Sequence, residues 1–339
     1  MKRSALRLAM IFFVALGVSL PSTAAASPFW SPTGSLGTAR SYTTAAPLPD
    51  GRVLVAGGLV SPTALSSTEI YNPATGTFSS GPTMGTGRYG AAAAPLPDGR
   101  VLIAGGIDGS GTALSSTEIF NPATGSFSAG QPMGAARFAP VAAPLPDGRV
   151  LIASGGGTSA ILSSAEIYDP ATDTFGPTGS MGTARYGAAG APLGDGRILI
   201  AGGSGTSSLL SSAEIFNPAT GTFSPTAPMA NVRDVPAAAS LPDGRVLMAG
   251  GSGGPALSSA EIYDPAAGNF SPTTSMATAR WSAAAAPLPG GRVLIAGGGP
   301  GATSSAELFN TDPQARTTNA EFGEQTVNEP SASQIGRAH

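Results

Sequence analysis

The stretch PLPDGRVLIAGG, residues 95–106, returns almost unchanged at 47–58, 144–155, 192–203, 240–251 and 287–298. The glycine after the turn's Asp marks each copy: Gly51, Gly99, Gly148, Gly196, Gly244 and Gly291, spaced 48, 49, 48, 48 and 47 residues apart. A fixed period of this size is the signature of a repeat architecture. Within the string, Pro97-Asp98-Gly99 reads as a tight turn, because proline presets φ and glycine accepts positive φ. The run from Arg100 to Ala104 reads as a strand buried on both faces. Gly105-Gly106 ends it where a side chain would obstruct a close backbone approach.

Working outward, each unit carries further fixed points. The small, apolar RYGAAAAPL (88–96) suits a crowded innermost strand, Leu114 to Asn121 a third strand, and Ser126 to Ala129 an outer strand with Phe127 packed inward. A Glu recurs at Glu69, Glu118, Glu166, Glu214, Glu261 and Glu307. An aromatic recurs at Phe78, Phe127, Phe175, Phe223 and Phe270, with an arginine ten residues later at Arg88, Arg137, Arg185, Arg233 and Arg280. The missing sixth pair stands at the start of the chain, as Trp30 and Arg40. A linear stack needs no such sharing between the two ends, whereas a closed ring does. The expected fold is therefore all-β: a six-bladed propeller whose last blade is closed by the N-terminal strand, which removes two open sheet edges.

The Gly-Gly after the second strand, the aromatic-Asn/Asp-Pro turn and the spaced aromatic before Met and Arg resemble kelch repeats. The resemblance covers residues 27–310. The departures are small: Ser154 replaces the first glycine of the third unit, Gly290 the turn Asp of the sixth, and Phe the outer-strand Trp in every copy but one.

Composition narrows the chemistry. With 41% hydrophobic and 11% charged residues, disorder is not expected. Cysteine is absent and the one histidine is His339, the last residue, which removes disulfides, thiolate metal sites and imidazole catalysis. Lys2, Arg3 and Arg7, an apolar stretch from Leu8 to Leu20 and the small residues Ala24-Ala25-Ala26 read as an export signal spanning 1–26. The apolar stretch falls short of the roughly 20 residues that cross a bilayer. Without those three cations, 14 basic residues face 20 acidic ones, a poor balance for nucleic acid. The expectations are a secreted or cell-surface monomer, with no cofactor, metal, nucleic acid or membrane insertion. The 16 arginines against one lysine, with the Ala/Gly bias, suggest a GC-rich bacterial genome.

Residues 311–339 leave the repeat as a linker. Within them, 320–334 resemble the opening strand of Hydin-type (ASH) immunoglobulin-like domains. The last five residues, IGRAH (335–339), are what an adapter read ATC GGA AGA GCA CAC would translate to, so they are expected to be an artefact and the chain to be cut off inside a second domain that starts within 311–334.

Repeated positions recur for packing, so residues that break the pattern are the informative ones. After each repeated arginine (Arg40, Arg88, Arg137, Arg185, Arg233, Arg280) the next residue varies: Ser41, Tyr89, Phe138, Tyr186, Asp234 and Trp281. A constant scaffold with a tunable position is what a binding surface presents. Aromatics stack on sugar rings or peptide side chains, and arginine pairs carboxylates bidentately. The resemblance implies the same: in kelch proteins that bind acidic peptides, arginines at this strand start contact the partner. The alternative stays open. Six arginines match six glutamates in number, and each could be a strut inside or between blades. Asp108 reads as a solvated loop residue, and Asp169 and Asp264 as turn caps.

Three functions are compatible with these residues: a binding module for an extracellular protein or glycan, a carbohydrate-active enzyme (lyase or mutarotase type) using Asp234 with a ring arginine, or a spacer without a ligand. Kelch propellers also include galactose oxidases, whose copper site needs Tyr, His and a Tyr–Cys link; the absence of Cys and of an internal His excludes that chemistry.

Overall fold

The computed structural model describes residues 27–311. The expected export signal and the expected second domain lie outside them. The described residues form six four-stranded antiparallel sheets. In the second blade the strands are Ala92–Pro95, Val101–Ala104, Thr117–Asn121 and Ser126–Gly130, innermost to outermost. Each innermost strand lies beside the next one around, and the last (Ala284–Leu288) lies beside the first (Thr44–Pro47), so the sheets close into a ring.

The closure is made as the chain ends predict. Phe29–Pro32 pairs with Ala306–Asn310, Trp30 opposite Phe309, as the outer strand of the sixth blade. The Trp30 and Phe309 rings lie 5.0 Å apart, as outer- and third-strand aromatics do in the other blades.

Among the described residues the core is divided. Six apolar clusters fill the six gaps between neighbouring blades. Each second strand is covered from both sides, and Val101, Leu102, Ile103 and Ala104 are all 0% exposed. This explains an unbroken apolar run where a half-buried strand would alternate.

Two strand boundaries differ from expectation. The third strand begins at Thr117, not Leu114. Backbone groups of Leu114, Ser115 and Ser116 serve the innermost strand's entry and the next blade: Arg137 N–H donates to Leu114 O, Met133 N–H to Ser115 O, and the Arg88 guanidinium to Ser116 O. The innermost strand begins at Ala92, not Arg88, because the chain kinks at Gly90, whose φ is +62°. Arg88 therefore belongs to the crossover from the previous blade. Antiparallel order puts the six crossovers and the loops after Gly-Gly at one end of the ring, here the mouth face. The Pro-Asp-Gly and Asn-Pro-Ala turns lie at the other end.

Candidate functional site

The arginines anchor the crossovers. Arg88 Nη1 donates to Gly105 O (2.9 Å) and Ser116 O (3.0 Å), and its Nη2 to Ser116 Oγ (3.3 Å) and Glu118 Oε1 (3.0 Å). The other face of the Glu118 carboxylate accepts the N–H groups of Gly85 (2.7 Å) and Thr86 (3.0 Å), on the incoming crossover. The same arginine–glutamate bridge recurs in all six blades, at 2.9 to 3.1 Å. Burial pulls the Arg40, Arg88 and Arg185 guanidinium groups below their usual range, and the paired glutamates oppose it.

This corrects the reading of the arginines as a ligand-facing ring. Arg40, Arg88, Arg137, Arg185, Arg233 and Arg280 are each 0–1% exposed. Six exposed guanidinium groups around one opening would repel one another; folded inward, each is neutralised within its own blade. Arg233 is committed to Glu261, Gly250 and Ser259, so the enzyme reading loses the arginine it paired with Asp234.

Two residues after each arginine stands the kink. Tyr42, Gly90, Ala139, Gly187, Val235 and Ser282 all have φ between +44° and +64°. The kink turns the crossover into the channel wall and aims each N–H at the preceding blade. Gly90 donates to Tyr42 O (2.8 Å), Ala139 to Gly90 O (2.7 Å), Gly187 to Ala139 O (3.1 Å), Val235 to Gly187 O (2.8 Å) and Ser282 to Val235 O (2.8 Å). Tyr42 N–H completes the hoop on Ser282 Oγ at 3.1 Å. Beneath it, a channel cavity of about 260 Å³ is walled by small residues such as Ala45, Ala93, Ala142, Gly190, Ala238 and Ala285.

The variable residues gather above the hoop. Tyr42 lies at the centre, its ring 5.5 Å from Trp281, 5.6 Å from Phe138 and 6.0 Å from Tyr89. Tyr89 is 5.8 Å from Phe138, which is 6.2 Å from Tyr186. Centroid separations of about 4.5–7 Å are those of favourable aromatic pairs. All five rings are half-buried. Asp234 occupies the fifth blade's position, between Tyr186 and Trp281 in ring order. Its Oδ1 is buried without a hydrogen-bond partner. A Cβ built on Gly187 would lie 2.7 Å from that oxygen and 2.8 Å from Val235 Cγ1, so the glycine lets the carboxylate pack close to the kink. Burial pushes the carboxyl above the usual carboxylate range, against the pull of the Ser204 hydroxyl and the Val235 N–H. The Tyr42 phenol is pushed up to about 12, by burial and then by Asp234, Tyr186 and Tyr89.

The structure thus brings together Tyr89, Phe138, Tyr186, Asp234 and Trp281, keeps the six arginines apart from them, and adds Tyr42. The signal for Tyr42 was an inversion: this blade reads Ser41-Tyr42, small then aromatic, where the second and fourth read Tyr89-Gly90 and Tyr186-Gly187. Among the described residues, no three His, Cys, Asp or Glu side chains converge to hold a metal.

The Kelch motif matches residues 40–85, 88–134 and 185–230. Each match opens on a strut arginine, Arg40, Arg88 or Arg185, and reaches the backbone donor that caps the next glutamate, Gly85, Gly134 or Ala230. The chain is a six-bladed kelch-type β-propeller. Its buried strut is therefore part of the repeat, while the residues that follow each strut arginine differ from blade to blade. No curated protein matches it.

Proposed function

We propose that this kelch propeller is an exported binding module that captures a protein ligand on its mouth face. One observation carries the reading: five half-buried rings and one carboxylate, at the positions where the repeat varies, meet over a single opening. The blades do not need them for packing, since their cores lie between sheets and are filled by repeated residues. Large, rigid rings with polar tips are the side chains that dominate recognition surfaces. The kelch propeller is a common protein-interaction scaffold, which favours a protein over a glycan. The basic, apolar and small-residue run of 1–26 supports export.

The test is a screen of the full mature chain against peptide and glycan arrays, beside a Tyr89→Ala/Trp281→Ala variant whose fold is verified by circular dichroism. Peptide hits lost in the variant are expected. Hits retained in the variant, or hits confined to glycans, overturn the reading. Mass spectrometry of the secreted protein should find an N-terminus at residue 27.

A further inference from the structure

The charges at the mouth face have one sign. The six buried arginines are cancelled by six glutamates, and five further arginines pair with turn aspartates at the opposite end, as Arg100 does with Asp98. Of the acidic residues left over among the described ones, Asp169, Asp173 and Asp264 lie with the lone Arg292 at that far end. Asp108 and Asp234 are left at the mouth, where no unpaired cation stands among the described residues. Asp108 is already capped, by the N–H groups of Ser110 (2.9 Å) and Thr112 (3.0 Å) and by the Ser110 hydroxyl (2.6 Å). Asp234 keeps an oxygen without a partner, lies near the Tyr42 phenol, and occupies the ring position between Tyr186 and Trp281.

We propose that the mouth seats a basic side chain of a protein partner, lysine or arginine, on the rings of Trp281 and Tyr42, with Asp234 as its counter-ion. A cation is drawn to the face of an aromatic ring, most strongly to tryptophan, and more so when water is excluded. A buried carboxylate oxygen lacking a partner is costly, and an arriving cation offsets that cost. The ligand sign is thus opposite to that of the acidic peptides which the resemblance alone implied, because the arginines are neutralised inside the blades. The inference rests on the mouth-binding reading and sharpens it.

The experiment uses the full mature chain with Trp30→Phe, which leaves Trp281 as the one indole, since the chain has two tryptophans. Phe already fills the equivalent position in five blades. Trp281 fluorescence is titrated with the pentapeptides Gly-Gly-X-Gly-Gly, X being Lys, Arg, norleucine or Glu. A saturable response is expected for Lys or Arg, at least about tenfold tighter than for norleucine, and weakened by salt. Asp234→Asn should weaken it about tenfold or more, and Asp108→Asn less than about twofold. Norleucine binding as well as lysine, preference for Glu, or no saturable response overturns the cation proposal. Array hits that depend on Tyr89 and Trp281 but not on Asp234 or basic residues would sink this proposal alone. Hits indifferent to Tyr89 and Trp281 would remove the mouth reading with it.

Discussion

Arg137 holds Glu166 by two nitrogens, Nε at 3.2 Å and Nη2 at 2.9 Å, both on Oε1. Arg233 holds Glu261 the same way. In the second, fourth and sixth blades only Nη2 reaches the glutamate, and Nε of Arg88, Arg185 and Arg280 is buried without a partner. Glu166→Ala would strand a buried guanidinium and free the Gly134 and Ala135 N–H groups. The expected loss is about 3–5 kcal/mol of unfolding free energy, read by denaturant titration. Glu166→Gln, which keeps an acceptor, should cost less. A loss below about 1 kcal/mol for the alanine variant would show that the strut does not fasten the crossover.

The third blade contains a correctable defect. Ser154 sits where the other blades carry glycine, with φ of +68°, and its hydroxyl is buried without a partner. A left-handed conformation costs a non-glycine residue about 1–2 kcal/mol, and an unsatisfied buried hydroxyl adds to that. Glycine's greater freedom in the unfolded chain offsets up to about 1 kcal/mol. Ser154→Gly should therefore stabilise the protein by about 1–2 kcal/mol, seen as a raised Tm. No gain, or a loss, would mean that the neighbouring blade has repacked around the serine.

The ring depends on its two ends meeting. Trp30 donates from Nε1 to Thr274 O at 2.8 Å and packs against the Phe309 ring at a 56° tilt. Trp30→Phe should change stability by less than about 1 kcal/mol, because the ring is kept and only a half-exposed hydrogen bond goes. Trp30→Ala should cost about 2–4 kcal/mol and, by loosening the closing strand, promote association through the bared edge of Ala306–Asn310. Chemical denaturation and size-exclusion chromatography check the two effects separately.

What could be read in advance followed the kind of interaction. Blade number, ring closure and the buried second strand are properties of a repeated pattern, so the sequence exposes them directly. The count of arginines against glutamates already allowed the strut. Which alternative holds depends on the kink after each arginine, and that kink is made by residues as unlike as Tyr42, Ala139, Val235 and Ser282. Their positive φ is imposed by the hoop of hydrogen bonds between blades, a long-range feature with no local residue signature beyond the two glycines. For the same reason Tyr42 escaped notice: its ring crosses the mouth only because its backbone is left-handed. The turn roles of Asp169 and Asp264 were legible because they are local, each accepting the N–H two residues on, from Ala171 (2.9 Å) and Ala266 (2.8 Å).

Asp234 gives the mouth a pH signature whose sign is fixed. Burial raises its folded-state pKa above the unfolded value, so between the two the native state holds the extra proton. Stability contributed by this group then falls as pH rises through that window, and the penalty is complete above the folded pKa. The groups facing it do not mask the change: the Tyr42 phenol, pushed up to about 12, stays neutral across the acidic range, and the Ser204 hydroxyl and Val235 N–H do not titrate. Asp234→Asn removes the charge without changing the shape. Its Tm should match that of the parent at pH below the usual aspartate range and exceed it increasingly toward neutrality. Binding of a cationic peptide should run the other way, appearing only as the carboxylate ionises. The same carboxylate would thus lower stability and provide recognition over one pH window, as expected of a group placed for function rather than for packing. A Tm difference that is flat with pH, or that favours the parent at neutrality, would mean that Asp234 is satisfied by its neighbours and holds no charge in reserve for a ligand.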